Sequence, residues 1–236
     1  MIDYHELAQN PGLLHAGLRC RHPRLGPELD MVLEYVTGQL PPALPGERRE
    51  ILLEPHICTS YPDAVVLYWD EAVGASLRTR FDGVRVIDLQ ILSALSQSRS
   101  WSLNRVHATY GRQAGRSLAR LEKAGAVAVT GSRVRAAPVE ELFALRRLIA
   151  LEAKIRDWNG GLTQALHNTW FTTESYLLLP TLPKARKPHD EARRLGIGIL
   201  DQDTPIRGPH TQKQRRLQRQ PSVGAWLLNT WASALT

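Results

Sequence analysis

The run Ala64-Val65-Val66-Leu67-Tyr68-Trp69 constrains the fold more than any other segment. Six consecutive apolar residues without polar alternation predict a strand covered on both faces, and such a strand needs a layer of structure above and below it. The flanking segments can supply those layers. Residues 26–40 set Leu29, Leu33, Val36 and Leu40 at three- and four-residue steps after Pro27-Glu28, then stop at Gly38 and Pro41-Pro42, which predicts an amphipathic helix. The proline-rich stretch after it denies both helix and ladder geometry and reads as a loop. Residues 50–57 predict a second strand. After Pro138, residues 146–155, 175–182 and 197–200 read as strands, with helices over 159–172 and 189–196. Strands alternating with helices predict an α/β fold with a mixed sheet and helices packed on its faces.

Between Val84 and Pro138 the pattern is different. The segments IDLQILSALSQ, SLNRVHATYG and RQAGRSLARLEKAG predict three short helices, and AVAVT, Gly131-Ser132 and RVRAA predict a hairpin. Three helices followed by a two-stranded wing is the order of a winged helix-turn-helix. The sequence therefore predicts a discontinuous core over 1–82 and 138–201, a winged-helix insert over 83–137, and a basic linker with a C-terminal docking helix over 202–236.

Charge divides along the same lines. The chain has 236 residues and a formal net charge of +7, from 30 Lys+Arg against 23 Asp+Glu. Between Arg85 and Ala137 stand nine basic residues and two acids, leaving 21 of each sign elsewhere, so this segment holds an excess equal to that of the whole chain. Positive charge confined to one segment suits a polyanion partner, because neutralised phosphates release counterions. On the third helix Arg112, Arg116 and Arg120 recur at four-residue steps, on the element that such folds set in the major groove of duplex DNA, while Arg133 and Arg135 fall on the wing. Ordinary solvated arginines are the competing reading in a chain with 25 Arg and five Lys.

Other classes are excluded or disfavoured. No apolar run approaches the ~18 residues of a membrane span, and MIDYHELAQNPG lacks a basic flank followed by an apolar stretch, so a cytoplasmic protein with no membrane partner is expected. Cys20 and Cys58 allow at most one bridge and no cysteine-based zinc site. Leu227, Trp231 and Leu235 at four-residue spacing predict a terminal helix that docks on the body, on a second copy of the chain, or on a partner subunit through residues 222–236.

The chemistry rests on two short motifs. The sequence has a single Pro-Asp, Pro62-Asp63, immediately before the buried strand, and a Glu152-Ala153-Lys154 triplet on the next core strand. Side chains alternate along a strand, so Glu152 and Lys154 share a face. A Pro-Asp heading one buried strand and an ExK on the next resemble the PD-(D/E)XK, restriction-endonuclease-like, nuclease superfamily over roughly residues 28–69 and 138–201. The resemblance implies a Mg²⁺-dependent DNA nuclease, with Mn²⁺ a possible substitute. It makes Asp63 and Glu152 metal ligands together with the Ala153 carbonyl, and gives Lys154 the attacking water and the developing charge. It also implies Glu34 as an added acidic ligand on the first helix. Gln164 matches the glutamine of a QxxxY motif in the RecB-like branch, although Asn168 stands where that motif has tyrosine. Asp63 and Glu152 are 89 positions apart, so the insert must return close to where it leaves. The rival reading is a non-catalytic DNA-binding regulator, or a subunit of a defence, repair or transposition assembly. His56 and His167 read as a strand histidine and a surface histidine, and Trp158 as a core or loop anchor.

Overall fold

The computed structural model describes residues 18–98, 100–206, 217 and 219–235. Arg99, the N-terminal segment before residue 18, and most of the basic stretch around residues 207–218 lie outside the described residues. A five-stranded mixed sheet forms the centre of the molecule, in the order β10 (Gly198–Leu200), β9 (Glu174–Leu178), β8 (Leu145–Ala153), β4 (Ala64–Asp70), β2 (Glu47–Leu53). β2 runs antiparallel to β4 and β4 to β8, whereas β9 is parallel to β8 and β10 to β9. The α/β class and mixed sheet expected from the sequence are present.

β4 owes its unbroken apolar run to its central place. Ala64, Val66 and Tyr68 pack with Ile149 and Leu151 under Met31, Val32, Tyr35 and Val36 of helix α1 (Pro27–Gly38). Val65, Leu67 and Trp69 face the other way and join Leu148 and Ala150 in the largest apolar cluster. The α1 face also buries an ion pair. Arg147 donates to both Glu174 oxygens at 2.6 and 2.8 Å, and the Tyr176 hydroxyl donates to Glu174 at 2.7 Å, satisfying charges that would otherwise be costly inside the sheet.

At Asp70 the strand turns directly into helix α2 (Glu71–Leu77), a short helix that the sequence reading did not resolve. The Asp70 carboxylate accepts from the Val73 amide at 2.9 Å, an N-cap bond that holds its pKa below the ordinary carboxylate range. The chain then makes α3 (Val86–Ser96), β5 (Trp101–Ser102), α4 (Leu103–Tyr110), α5 (Ala114–Lys123), β6 (Val127–Thr130) and β7 (Arg133–Ala136), the strands forming a separate sheet in the order β5-β7-β6. The excursion closes where it opened: Asp70 donates its amide to the Ala144 carbonyl at 3.0 Å, and Trp69 pairs with Leu145. It shares its core with the sheet, since Leu89, Leu92, Val106, Leu118 and Val134 belong to the same cluster as Leu67 and Leu148.

The C-terminal helix α8 (Val223–Ala234) joins these parts. It packs on α2 and α3, and its residues are buried from Gly224 to Ser233. Asn229 fastens it, accepting from the Ala144 and Leu145 amides at 2.7 and 3.3 Å and donating to the Leu142 carbonyl at 3.0 Å. Of the alternatives expected for residues 222–236, the structure shows docking on the chain's own body: Trp226, Leu227 and Trp231 are buried in its core, and nothing in the structure supports a partner subunit or second copy held through them.

Several boundaries also differ from the expectation. The strand predicted over 50–57 begins earlier and breaks at Glu54, a non-glycine residue at φ +44°, after which β3 (Pro55–His56) pairs with β1 (Arg19–Cys20). The helix predicted over 159–172 is α6 (Trp158–Asn168), opened by an Asp157 side chain that accepts from the Gly160 amide at 2.9 Å. Helix α7 (Arg186–Leu195) starts earlier than the 189–196 expected and ends with Gly196 in the left-handed conformation.

Candidate active site

The register of β4 on β8 decides where the two motifs meet. Ala64 lies opposite Leu151, so one step further along the antiparallel ladder sets Asp63 opposite Glu152. Directly opposed residues put their Cβ atoms about 4.5–5.5 Å apart on the same face. The contact is sealed by a bond across the strand ends, in which the Ala153 amide donates to Asp63 Oδ2 at 2.7 Å. Lys154 follows Glu152 by two positions and points to the same face. Thus Asp63, Glu152, Ala153 and Lys154 are brought together despite their separation in the chain.

Glu152 is 1% exposed. Its Oε1 accepts from Asn168 Nδ2 at 2.7 Å, and Asn168 Oδ1 in turn accepts from the Ser60 hydroxyl at 2.8 Å. Its Oε2 is buried with no hydrogen-bond partner among the described residues. Burial, then the adjacent Asp63 charge, pushes the Glu152 carboxyl well above the ordinary carboxylate range, against the opposing pull of Asn168 and Lys154. Burial also raises the Asp63 carboxyl. The Ala153 amide and Lys154 pull it back, while Glu54 and Glu28 add to the rise. Two carboxyl groups short of compensating positive charge, one with an orphaned oxygen, form a site whose ionised form is stabilised by an added cation.

Lys154 has a reserve partner. Its ammonium lies 3.7 Å from Glu28 Oε2, and Glu28 Oε1 accepts from the Ile155 amide at 3.1 Å. Helix α6 presses on the lysine stem. A Cβ on Gly161 would stand 2.8 Å from Lys154 Cγ and 2.5 Å from Leu177 Cδ1, so the absence of a side chain there allows the approach. On the other flank Glu54 donates its amide to the Asp63 carbonyl at 3.1 Å while its carboxylate takes Arg21 and the Arg24 amide. Tyr61 stacks on His56 at 4.5 Å and receives the Arg21 guanidinium at 4.6 Å, which steadies the turn that carries Asp63.

Three expected residues stand elsewhere. Glu34 is exposed, because α1 turns Met31, Val32, Tyr35 and Val36 inward; the acidic group that α1 presents to the site is Glu28, in its first turn. Gln164 is exposed one turn before Asn168, and the residue that touches Glu152 is Asn168. Arg120 is removed from the basic stripe: its guanidinium donates to both oxygens of buried Asp88 at 2.7 Å each. Four-residue steps drift by about 40° per step around a helix, which carries Arg120 from the outer face toward α3. Arg116 is exposed on α5, Arg112 is exposed in the 3₁₀ turn before it, and Arg133 and Arg135 are exposed on β7. Glu28, Glu54 and Ser60 escaped the sequence reading. The Pro27-Glu28 helix start and the Asn168 four residues after Gln164 were the available signals for the first helix and for α6.

Among the described residues, no group of three or more His, Cys, Asp or Glu side chains is arranged to hold a metal ion. The protein side chains offered at this site are the carboxylates of Asp63 and Glu152. No helix is long and apolar enough to cross a membrane among the described residues. Comparison with protein-family models, curated proteins and solved structures gives no match.

Proposed function

We propose that the chain is a divalent-metal-dependent DNA nuclease of the PD-(D/E)XK type, with a winged-helix insert that grips duplex DNA. The observation that carries the reading is the meeting of Asp63 with Glu152-Ala153-Lys154, through the 2.7 Å bond from the Ala153 amide. The order helix, three antiparallel strands, helix, parallel strand (α1, β2, β4, β8, α6, β9) supports the same type.

The donor set fits Mg²⁺, which typically takes one or two carboxylates and completes its shell with water and substrate phosphate. Asp63 and the orphaned Oε2 of Glu152 are hard oxygen ligands. In a strand the N–H and C=O of one residue face the same neighbour, so the Ala153 carbonyl is turned toward the Asp63 side as well. A bound ion would supply positive charge to the phosphoryl oxygens and lower the pKa of water for attack. Asn168 fixes the plane of Glu152. Lys154, released from Glu28 by an incoming phosphate, orients water and offsets charge developing on the phosphoryl group. Arg112, Arg116, Arg133 and Arg135 give the insert its phosphate contacts.

Plasmid and linear DNA incubated with Mg²⁺ test the proposal. Cleavage by the native chain, stopped by EDTA and reduced at least about 100-fold in Asp63→Asn and Lys154→Met, is expected from the loss of charge stabilisation at a reacting phosphate. Undiminished Mg²⁺-dependent cleavage by either purified variant overturns the assigned site. Binding without cleavage under any divalent ion replaces the nuclease with a non-catalytic DNA-binding protein.

A further inference from the structure

The structure assigns a second binding site, for an unpaired nucleobase, to the cavity walled by Trp170 and linked through Ser60 and Asn168 to the Glu152 carboxylate. The assignment rests on the nucleic-acid reading above and specifies which substrate that reading admits.

The cavity has a volume of about 470 Å³, within the ~300–1,000 Å³ typical of small-ligand sites. It opens between the turn after β3, the end of α6, the end of α3 and the start of α8, so it lies where the excursion meets the sheet core. Trp170 is 81% exposed, while Trp69, Trp226 and Trp231 are buried. Trp170 also lines a neighbouring cavity of about 650 Å³, so this exposed indole is placed to offer a stacking surface. Phe171 supplies an apolar floor. The remaining wall mixes apolar Ile57 and Val223 with the Thr59 and Ser60 hydroxyls, the Gln97 amide and the His167 ring, and among the described residues it carries no Lys, Arg, Asp or Glu. A flat, uncharged heterocycle suits that lining, with apolar surface for its faces and hydrogen-bonding groups for its edges.

The cavity is wired to the reaction centre. The Ser60 hydroxyl on its wall donates to Asn168 at 2.8 Å, and Asn168 donates to Glu152 at 2.7 Å. Ser60 therefore stands two hydrogen bonds from the carboxylate, and an occupant that engages it can report its presence through the orientation of Asn168. Such a cavity selects nucleic acid with a base free to leave the stack, as at a bulge, a mismatch or a single-stranded junction, because removing such a base from a duplex costs least.

The test is fluorescence anisotropy in EDTA, where no cleavage intervenes, with two labelled duplexes that differ by one bulged thymine. The native chain should prefer the bulged duplex. Trp170→Ala should weaken binding to the bulged duplex about tenfold, within the range that stacking one base on an aromatic side chain supplies, and change the paired duplex less than twofold. Trp170→Phe, which keeps a stacking surface, should restore most of the preference. Because Trp170 is exposed, an unchanged melting temperature is expected for both variants. Equal effects on the two duplexes, or no effect on either, overturn the base site while leaving the nuclease proposal standing. Preference for the bulge with no Mg²⁺-dependent cleavage keeps the base site and removes the nuclease. If neither duplex binds, both fall.

Discussion

Replacing Glu152 by glutamine should stabilise the metal-free protein while removing its activity. The cause is the buried carboxyl, which burial and Asp63 push from the ordinary 4.5 up to about 8. A carboxyl whose pKa is raised in the fold contributes stability that is complete below its unfolded pKa and is lost as pH rises through the folded value. Here the unfolded chain releases the proton from about pH 4.5, whereas the fold retains it to about pH 8. At up to about 1.4 kcal/mol per pH unit, and less at either end where the group is only partly titrated, the native chain loses about 4 kcal/mol across that window. Glutamine has no proton to release, keeps an oxygen for Asn168 and offers an amide N–H to the Asp63 side. Thermal melts in EDTA should therefore coincide for the two proteins near pH 4.5 and separate with rising pH. By pH 8 Glu152→Gln should melt about 8–16 °C higher, at roughly 2–4 °C per kcal/mol. Millimolar Mg²⁺ should close the gap by stabilising the native carboxylate and should leave the variant unmoved. A gap that is constant with pH, or a variant less stable than the native chain at pH 8, would show that the Glu152 carboxyl is not held protonated by its burial.

Asn168→Asp adds a third carboxylate against Glu152; it should lower the metal-free melting temperature at pH 7 and make the protein more dependent on Mg²⁺, which differential scanning in EDTA and in Mg²⁺ will show. Arg147→Met strands Glu174 inside the sheet and should cost about 3–5 kcal/mol in denaturant unfolding, as breaking a buried pair does, without altering metal affinity at the distant strand ends. Arg112→Ala combined with Arg116→Ala should reduce the slope of log affinity for duplex DNA against log salt by about two contacts' worth, at ~0.9 per contact. Arg120→Ala should instead show as lost stability, because Asp88 is left buried without its guanidinium.

The layered α/β core was legible because burial dictates composition. A strand covered on both faces must be apolar throughout, as β4 is, and Pro62-Asp63 could be seen at its head. Helix α2 was obscured because it begins at Asp70 with no intervening loop and carries Gly74 in its short span. The acidic residue of α1 was misplaced because helical phase decides which side chain reaches the strand ends. Periodicity marks the buried stripe of α1 but not the rotation of its first turn over β8. Arg120 illustrates the same limit: its spacing from Arg116 matches a surface stripe, and only the three-dimensional position of Asp88 shows the guanidinium to be a buried acid's partner. Asn168 was visible as a departure from tyrosine, but its meaning depends on the distance to Glu152, which sequence separation does not carry. The terminal tryptophans announced a docking helix correctly, while the surface receiving them is formed by α2 and α3 of the same chain.

Asp63 and Glu152, 89 positions apart in the chain, are proposed to form one ion site. Electron paramagnetic resonance of Mn²⁺ titrated into the protein tests it directly, since the six-line signal of the free ion disappears on binding. The native chain should remove the signal, and Asp63→Asn and Glu152→Gln should each leave it free. Equal Mn²⁺ uptake by either folded variant would contradict it.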